Sequence, residues 1–243
     1  MDTSPSSQDT TSPTKRAALV EIIDLGRARG RTLADSLDAD ARTAVGTVEV
    51  WAPKDHFVHL AVWAGYQARR LEALASGMPP TQPADNDTVC REHQSDLWEI
   101  TWTAWIQALD DNAAGVMRAS EEELTALDQN GRSLLSLTLN NTYLHPIAHL
   151  AQLYDERGDV ASAEQLQQEA VATMARLFGK GEQYANAVYN LGCFYATHGQ
   201  SAEAVVQVRE ALAVNPKLTD LSKEDVDLVS LHDLPEYQAL YTA

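Results

Sequence analysis

Four long segments of the chain carry apolar residues at helical spacing. In the first of them, Leu19, Ile22 and Ile23 recur at positions typical of one buried helix face, although Gly26 and Gly30 weaken its middle. The pattern predicts helices over residues 15–37, 51–76 and 90–118, and a fourth that begins near residue 133. Four long helices in succession predict an all-α bundle.

The fourth predicted helix contains a proline beside two histidines. Pro146 lacks an N–H donor, and its ring clashes with the carbonyl four residues back. We therefore expect a kink near Thr142 and Tyr143. His145 and His149 are four residues apart, which puts their imidazoles on one helix face, one turn apart.

An internal repeat with an offset of 41 residues follows. Leu150 and Tyr154 recur as Leu191 and Tyr195, and small residues recur between them at matching positions. This pattern is similar to the tetratricopeptide repeat, in which each unit is a pair of helices. The resemblance predicts two repeats over 147–216 that share the end of the fourth helix. Because two repeats rarely stand free, we expect them to pack on the bundle.

The two ends of the chain differ from these periodic segments. Residues 1–14 are rich in Ser, Thr, Pro and Asp, which predicts a disordered tail without the apolar core of a secretion signal. Residues 217–243 are predicted to cap the repeat stack. No segment approaches the length of a membrane span.

Charge and cysteine content narrow the classes of function. The 243 residues include 35 acidic and 18 basic ones, for a formal net charge of −17. Since phosphate contacts need clustered Lys and Arg, we expect neither nucleic acid nor a membrane as a partner. Cys90 and Cys193 form no CxxC motif, which indicates a reducing compartment. The cytoplasm is therefore the expected location.

Two stretches carry a resemblance to a known family. The sequence WAPKD at 51–55, followed by His59 and Trp63, resembles the second helix of the DinB-like four-helix-bundle superfamily, in its ClbS/DfsB branch. The Asn-Thr-Tyr run at 141–143, followed by the two histidines, resembles that group's fourth helix. The resemblance covers 15–157 and implies a DinB-like four-helix bundle there.

The resemblance also implies a metal site. In the metal-binding members, one histidine of the second helix and a His-x3-His pair of the fourth hold a divalent ion, and these fall on His59, His145 and His149. Zn²⁺, Ni²⁺ or Fe²⁺ would suit nitrogen ligands, and a bound water would become a nucleophile. Two departures are Ala64, where many relatives have an acidic residue, and Pro146. The alternative is three ordinary histidines, since not every ClbS-like member needs a metal.

Other candidate site residues surround these three. His56 could support the metal ligands from behind or replace one of them, and the interpretation we favour is a solvated histidine of the first turn. Tyr143 and Asn141 are candidates for donating hydrogen bonds to a substrate, or for capping carbonyls freed by Pro146. Tryptophans at helical spacing are usually core, and the alternative is a pocket wall. The candidate pocket tryptophans are Trp51, Trp63, Trp98, Trp102 and Trp105.

Three functions follow from these features. The first is an enzyme that acts on a reactive electrophilic metabolite by hydrolytic ring opening or thiol-dependent transfer, in self-resistance or natural-product tailoring. The second is an adaptor that binds a protein partner through the repeats, and the third is a protein that sequesters a small molecule without turnover. The sequence contains neither a P-loop nor a Gly-rich dinucleotide fingerprint, so we expect no nucleotide cofactor. The resemblance leaves a homodimer open.

Overall fold

The computed structural model describes residues 14–47, 49–77, 85–93 and 95–242, and throughout these ranges the chain forms helices and turns with no β-strand. The all-α prediction is confirmed for this part of the chain. The tail expected over 1–14 lies outside the described residues, except for Thr14. Its side chain accepts a hydrogen bond from the N–H of Ala17 and caps the first helix.

Long and short helices follow one another along the described part of the chain. They are α1 (Lys15–Ser36), α2 (Ala39–Thr43), α3 (Pro53–Ser76), α4 (Asn86–His93), α5 (Trp98–Arg118), α6 (Glu121–Thr125), α7 (Leu134–Leu139), a π-helical turn (Asn140–Leu144), α8 (His145–Glu156), α9 (Val160–Phe178), α10 (Glu182–Thr197), α11 (Ser201–Val214), α12 (Leu218–Glu224), a 3₁₀ turn (Val226–Leu231), α13 (Pro235–Gln238) and a 3₁₀ turn (Ala239–Tyr241).

Four helical elements of the first half close a ring. Helix α5 contacts α1 and α3, and the segment from α7 through the π turn to α8 contacts the same two helices. Leu19, Phe57, Trp105 and Leu139, one from each element, are fully buried in the shared core. Burial of each such side chain contributes about 1.5–3 kcal/mol, so this core holds the elements that carry the histidines.

The third predicted helix is two helices, and the prediction of one helix over 90–118 is wrong. Asp96 closes the turn between them: its N–H donates to the carbonyl of His93 at 3.0 Å, and its carboxylate lies 2.7 Å from Nδ1 of the same residue. Nζ of Lys54 donates to the carbonyl of Asp96 at 2.8 Å. Because that carbonyl is occupied and Leu97 is extended, the helix restarts after the turn.

The second half consists of two helix pairs, α8–α9 and α10–α11, packed side by side. Gly158 and Gly199 make the tight turns within the pairs with φ of 79° and 72°, a conformation that favours glycine. Helix α8 belongs both to the ring and to the first pair. The residues after α11 fold back on α10 and bury Leu228 and Leu231.

Candidate metal centre

The first turn of α3 is fixed by Asp55, whose side chain is buried. Its Oδ2 accepts hydrogen bonds from the N–H of Ala52 at 2.8 Å and of Gly46 at 3.1 Å. The bond from Ala52 satisfies a backbone donor that the helix start leaves unpaired, and the bond from Gly46 ties the preceding loop to the helix. They therefore set where α3 begins, and with it the positions of His56 and His59 in its first two turns.

The π turn determines how α8 follows α7. The N–H of His145 donates to the carbonyl of Asn140, five residues back. Pro146 has no N–H to offer to the carbonyl of Thr142, so a regular α-helical ladder cannot continue through this point. The irregularity expected from Pro146 takes the form of this π turn, an insertion that is frequent at functional sites. It lies directly before the two histidines of α8.

Four imidazoles from α3 and α8 meet in one network. Nε2 of His145 lies 3.0 Å from Nε2 of His59 and 3.0 Å from Nε2 of His149. On its other side, Nδ1 of His149 lies 3.0 Å from Nδ1 of His56. One ring nitrogen from each of His59, His145 and His149 lies within 4.8 Å of the other two. We call these four residues the histidine cluster.

The donor set of the histidine cluster fits a divalent transition metal. Imidazole nitrogens bind Zn²⁺ at about 2.0–2.1 Å, so nitrogens that lie 3.0 Å apart could reach one ion. A neutral imidazole carries a single N–H, so the three Nε2 atoms are all free to ligate when each ring is protonated on Nδ1. Nδ1 of His149 then donates to His56. Nδ1 of His59 and of His145 is buried and has no hydrogen-bond partner among the described residues.

Burial keeps these imidazoles neutral. Loss of hydration lowers the pKa of His56 and of His145 from 6.5 to about 4. Loss of hydration together with the neighbouring imidazoles lowers the pKa of His59 to about 3 and that of His149 to about 2. Neutral imidazole is the form that binds metals, so the histidine cluster is in its ligating form at neutral pH.

Two of the candidate pocket tryptophans border the histidine cluster. The ring of Trp51 stacks on that of His149, with centroids 5.8 Å apart and planes 9° apart, and lies 5.0 Å from that of His59. The ring of Trp63 lies 6.0 Å from that of His59 and 6.3 Å from that of His145. Both indoles are half-buried, so each covers an imidazole while part of its own surface stays accessible.

The other three candidate tryptophans lie in the core. The rings of Trp98, Trp102 and Trp105 surround Phe57, with centroids 5.2, 5.7 and 5.3 Å away. Their helical spacing turns them toward this residue of α3, on the face that packs against α5. The structure therefore places these three indoles in packing contacts, in agreement with the core alternative, and not beside the histidines.

Asn141 and Tyr143 make contacts that stabilise the π turn and its surroundings. Nδ2 of Asn141 donates to the carbonyl of Leu137 at 2.9 Å, a bond within its own helix. Tyr143 is buried, which raises the pKa of its phenol, and it hydrogen-bonds to Thr173 of α9. The bond of Asn141 goes to Leu137 and not to Thr142, the residue whose carbonyl Pro146 leaves without a donor, so the capping alternative stays a prediction. A part in catalysis stays a prediction for both.

His56 is the member of the cluster that sequence reasoning missed. We expected a solvated histidine, and the structure buries it with 1% of its surface exposed, in contact with His149. The signal was its position three residues before His59, which puts both on one helix face. The sequence alone does not indicate that the first turn of this helix face is buried.

Two cavities differ in their relation to the histidine cluster. A cavity of about 720 Å³ lies between α3, α4 and α5, and none of the four histidines borders it. A groove of about 470 Å³ between α8 and α10 is bordered by His149. Of these two cavities, only the groove borders the histidine cluster.

Comparison with known proteins finds one match, which lies in the second half of the chain. Residues 139–217 match the family model of the tetratricopeptide repeat. The predicted tetratricopeptide-like segment is confirmed by this match, and α8–α9 and α10–α11 form two helix pairs within it. No curated protein and no solved structure was found to match the chain. None of the described helices is long and apolar enough to cross a membrane.

Proposed function

We propose that this chain is a small-molecule enzyme of the DinB-like type, from the ClbS/DfsB branch, with His59, His145 and His149 at its reactive centre. The observation that carries the proposal is the set of Nε2 contacts of 3.0 Å that joins these three residues, in surroundings that keep them neutral. The proposed substrate is a reactive electrophilic metabolite. The proposed reaction is a hydrolytic ring opening, and its role is self-resistance or natural-product tailoring.

The order of features along the chain supports the family assignment. The WAPKD sequence at 51–55 opens α3, where Asp55 caps the helix and Lys54 ties it to the turn before α5. The Asn-Thr-Tyr run at 141–143 forms the π turn that precedes the two histidines of α8. The ring formed by α1, α3, α5 and the α7–α8 segment is compatible with a DinB-like bundle.

The residues of the histidine cluster and Trp51 have different roles in the proposed reaction. His59, His145 and His149 would hold Zn²⁺, Ni²⁺ or Fe²⁺, which supplies a water of lowered pKa and polarises an electrophile. His56 would accept the Nδ1–H of His149 in the tautomer that ligates, and would so keep the Nε2 lone pair of that ring directed at the centre. Trp51 covers the face of His149 and excludes water from that side of the ring.

Metal content tests this proposal directly. Tag-free protein is expected to hold about one equivalent of Zn²⁺ or Ni²⁺ after incubation and dialysis, by elemental analysis. The His145→Ala/His149→Ala variant is expected to hold none. His93→Ala is the matched control, since His93 pairs with Asp96 outside the cluster, and it should bind like the parent. Parent protein that retains no metal after incubation with either ion overturns the metal-assisted function.

A second candidate function is a protein-interaction adaptor, favoured by the match of 139–217 to the tetratricopeptide repeat. Such repeats generally bind protein partners, and the groove between α8 and α10 is one surface they offer here. The two functions make different demands. An adaptor keeps its partner affinity when His59 is replaced by alanine, whereas the proposed enzyme loses its activity.

A further inference from the structure

The cavity between α3, α4 and α5 is separate from the histidine cluster. Its volume of about 720 Å³ lies within the range of small-molecule sites. It extends along α3 from Val58 to Glu72 and along α5 from Ile100 to Arg118. At a rise of 1.5 Å per residue, it follows α3 for about 21 Å. We call it the α3–α5 cavity.

The buried part of the cavity wall is largely apolar. Val58 of α3, Val89 of α4 and Ala108 of α5 border the cavity and are 5%, 4% and 6% exposed. Ile100 also borders it and is 54% exposed, so a large apolar side chain at the cavity remains in contact with water. A ligand that covers this apolar surface removes it from water, which favours binding.

The charged side chains of the cavity do not favour an ionic ligand. Two cations and three anions border it, and all five residues are exposed, so water already solvates them. They are Arg69, Glu72, Glu92, Asp111 and Arg118. The other two charged residues that border it, His93 and Asp96, pair with each other. Because burial of an unpaired ion against an apolar wall is costly, an uncharged ligand fits this cavity best.

A buried hydroxyl gives an independent sign of a ligand. Thr101 of α5 borders the cavity and is 3% exposed, and its Oγ1 is buried without a hydrogen-bond partner among the described residues. Such a hydroxyl is unfavourable, because it has lost its hydrogen bonds to water and has gained none in return. A polar group of a ligand would satisfy it, either as donor or as acceptor.

Gly65 leaves the side of α3 open toward the cavity. It lies inside a helix, where glycine is disfavoured relative to alanine. A Cβ at this position would meet only the flexible Nη1 of Arg69, at an ordinary contact distance of 3.5 Å. At Gly115, by contrast, a Cβ would lie 2.7 Å from Cβ of Leu71, so packing between α5 and α3 requires that glycine. No such contact among the described residues requires Gly65, and its lack of a side chain enlarges the cavity.

We propose that the α3–α5 cavity binds an uncharged, mainly apolar small molecule with one hydrogen-bonding group, which pairs with Thr101. The apolar part of the molecule lies against Val58, Val89 and Ala108. This inference goes beyond the proposed function, since none of the four histidines borders the cavity and binding there requires no metal.

Fluorescence titration of the full-length chain with matched probes tests the inference. N-phenyl-1-naphthylamine is uncharged and has one N–H, 1-phenylnaphthalene lacks the N–H, and 8-anilinonaphthalene-1-sulfonate adds an anion to the same scaffold. The uncharged amine is expected to bind saturably and at least about tenfold more tightly than the sulfonate, because the sulfonate loses hydration on burial. A titration that does not saturate, or a sulfonate that binds as tightly as the amine, overturns the inference.

A variant without the hydroxyl tests the role of Thr101. Thr101→Val keeps the shape of the side chain and is expected to weaken binding of the amine about three- to tenfold, because one hydrogen bond is lost. Binding of 1-phenylnaphthalene, measured by displacement of the amine, should stay unchanged. Thr103→Val is the matched control, since Thr103 lies on the same helix, is exposed and does not border the cavity. Parent-like affinity for the amine in Thr101→Val, or an equal loss for both probes, overturns the proposal.

Two further variants locate the probe, and thermal melting verifies that each is folded. Gly65→Leu places a side chain in the cavity and is expected to weaken binding of both uncharged probes at least about tenfold, and Gly65→Ala less. The His145→Ala/His149→Ala variant should bind the amine like the parent, because neither residue borders the cavity. Binding that Gly65→Leu leaves unchanged, or that the folded double variant has lost, places the probe outside the cavity and overturns the inference.

Discussion

Replacing Gly26 by alanine tests whether close packing of α1 on the π turn positions the histidines. A Cβ at this position would come about 1 Å closer to the carbonyl oxygen of Thr142 than an ordinary van der Waals contact. Because that oxygen belongs to the backbone, no side-chain rotation relieves the overlap. Either α1 or the π turn has to move, and the π turn directly precedes His145.

The size of the effect follows from two opposing contributions. Alanine is favoured over glycine inside a helix by about 1 kcal/mol. Overpacking a well-packed core costs about 1–3 kcal/mol, and a backbone displacement belongs near the upper end of that range. We therefore expect Gly26→Ala to lower the free energy of unfolding by about 1–2 kcal/mol. For a chain of this length the melting temperature falls by about 2–8 °C.

Calorimetry and urea unfolding measure the change, with Gly65→Ala as the control. Gly65 lies in α3, where the nearest atom to a new Cβ is the flexible Nη1 of Arg69 at 3.5 Å. That variant is expected to gain about 0.5–1 kcal/mol from helix propensity. The same substitution in two helices should thus have opposite signs. A melting temperature that rises equally in both variants would refute the packing argument.

Three further predictions concern the histidine cluster. Folding lowers the pKa values of the four histidines, so below pH 6.5 the unfolded chain binds more protons than the folded chain. In urea unfolding of metal-free protein, the free energy of unfolding should therefore fall by about 2 kcal/mol per histidine between pH 7 and pH 5. An unfolding midpoint that does not change with pH contradicts this. His56→Ala should weaken Zn²⁺ binding about 10- to 100-fold in competition titrations, whereas unchanged affinity excludes a supporting role. Asp55→Ala leaves two backbone N–H groups without their acceptor, so the free energy of unfolding measured by chemical denaturation should fall by about 2–4 kcal/mol. Asp55→Asn keeps an acceptor oxygen and should lower it less.

The sequence predicted most helices because their signals are local. Residues 15–37 and 51–76 were predicted as helices, and the structure begins and ends α1 and α3 within two residues of these bounds. The break between α4 and α5 was not predictable in this way. It depends on Lys54, more than 40 residues earlier, which binds the carbonyl of Asp96. Apolar periodicity does not report such a contact.

The candidate site shows the same division between local and long-range information. Spacing along α8 was sufficient to pair His145 with His149, and the family pattern added His59. His56 also belongs to the cluster. Its burial depends on contacts with Trp51 and with His149 of α8, and the local sequence pattern does not report such contacts. Gly26 was interpreted as a weak point of its helix, whereas the structure makes it a point of close contact.

Helix α8 contributes both to the histidine cluster and to the packing of the repeats. One part of it supplies His145 and His149 to the cluster, and another buries Leu150 and Leu153 in the core. Recombination between genes could therefore not exchange the repeat segment without also replacing half of the cluster. A substitution in α8 that changes repeat packing also changes the position of the imidazoles. The two halves are expected to be inherited as one unit, and to unfold in a single cooperative transition.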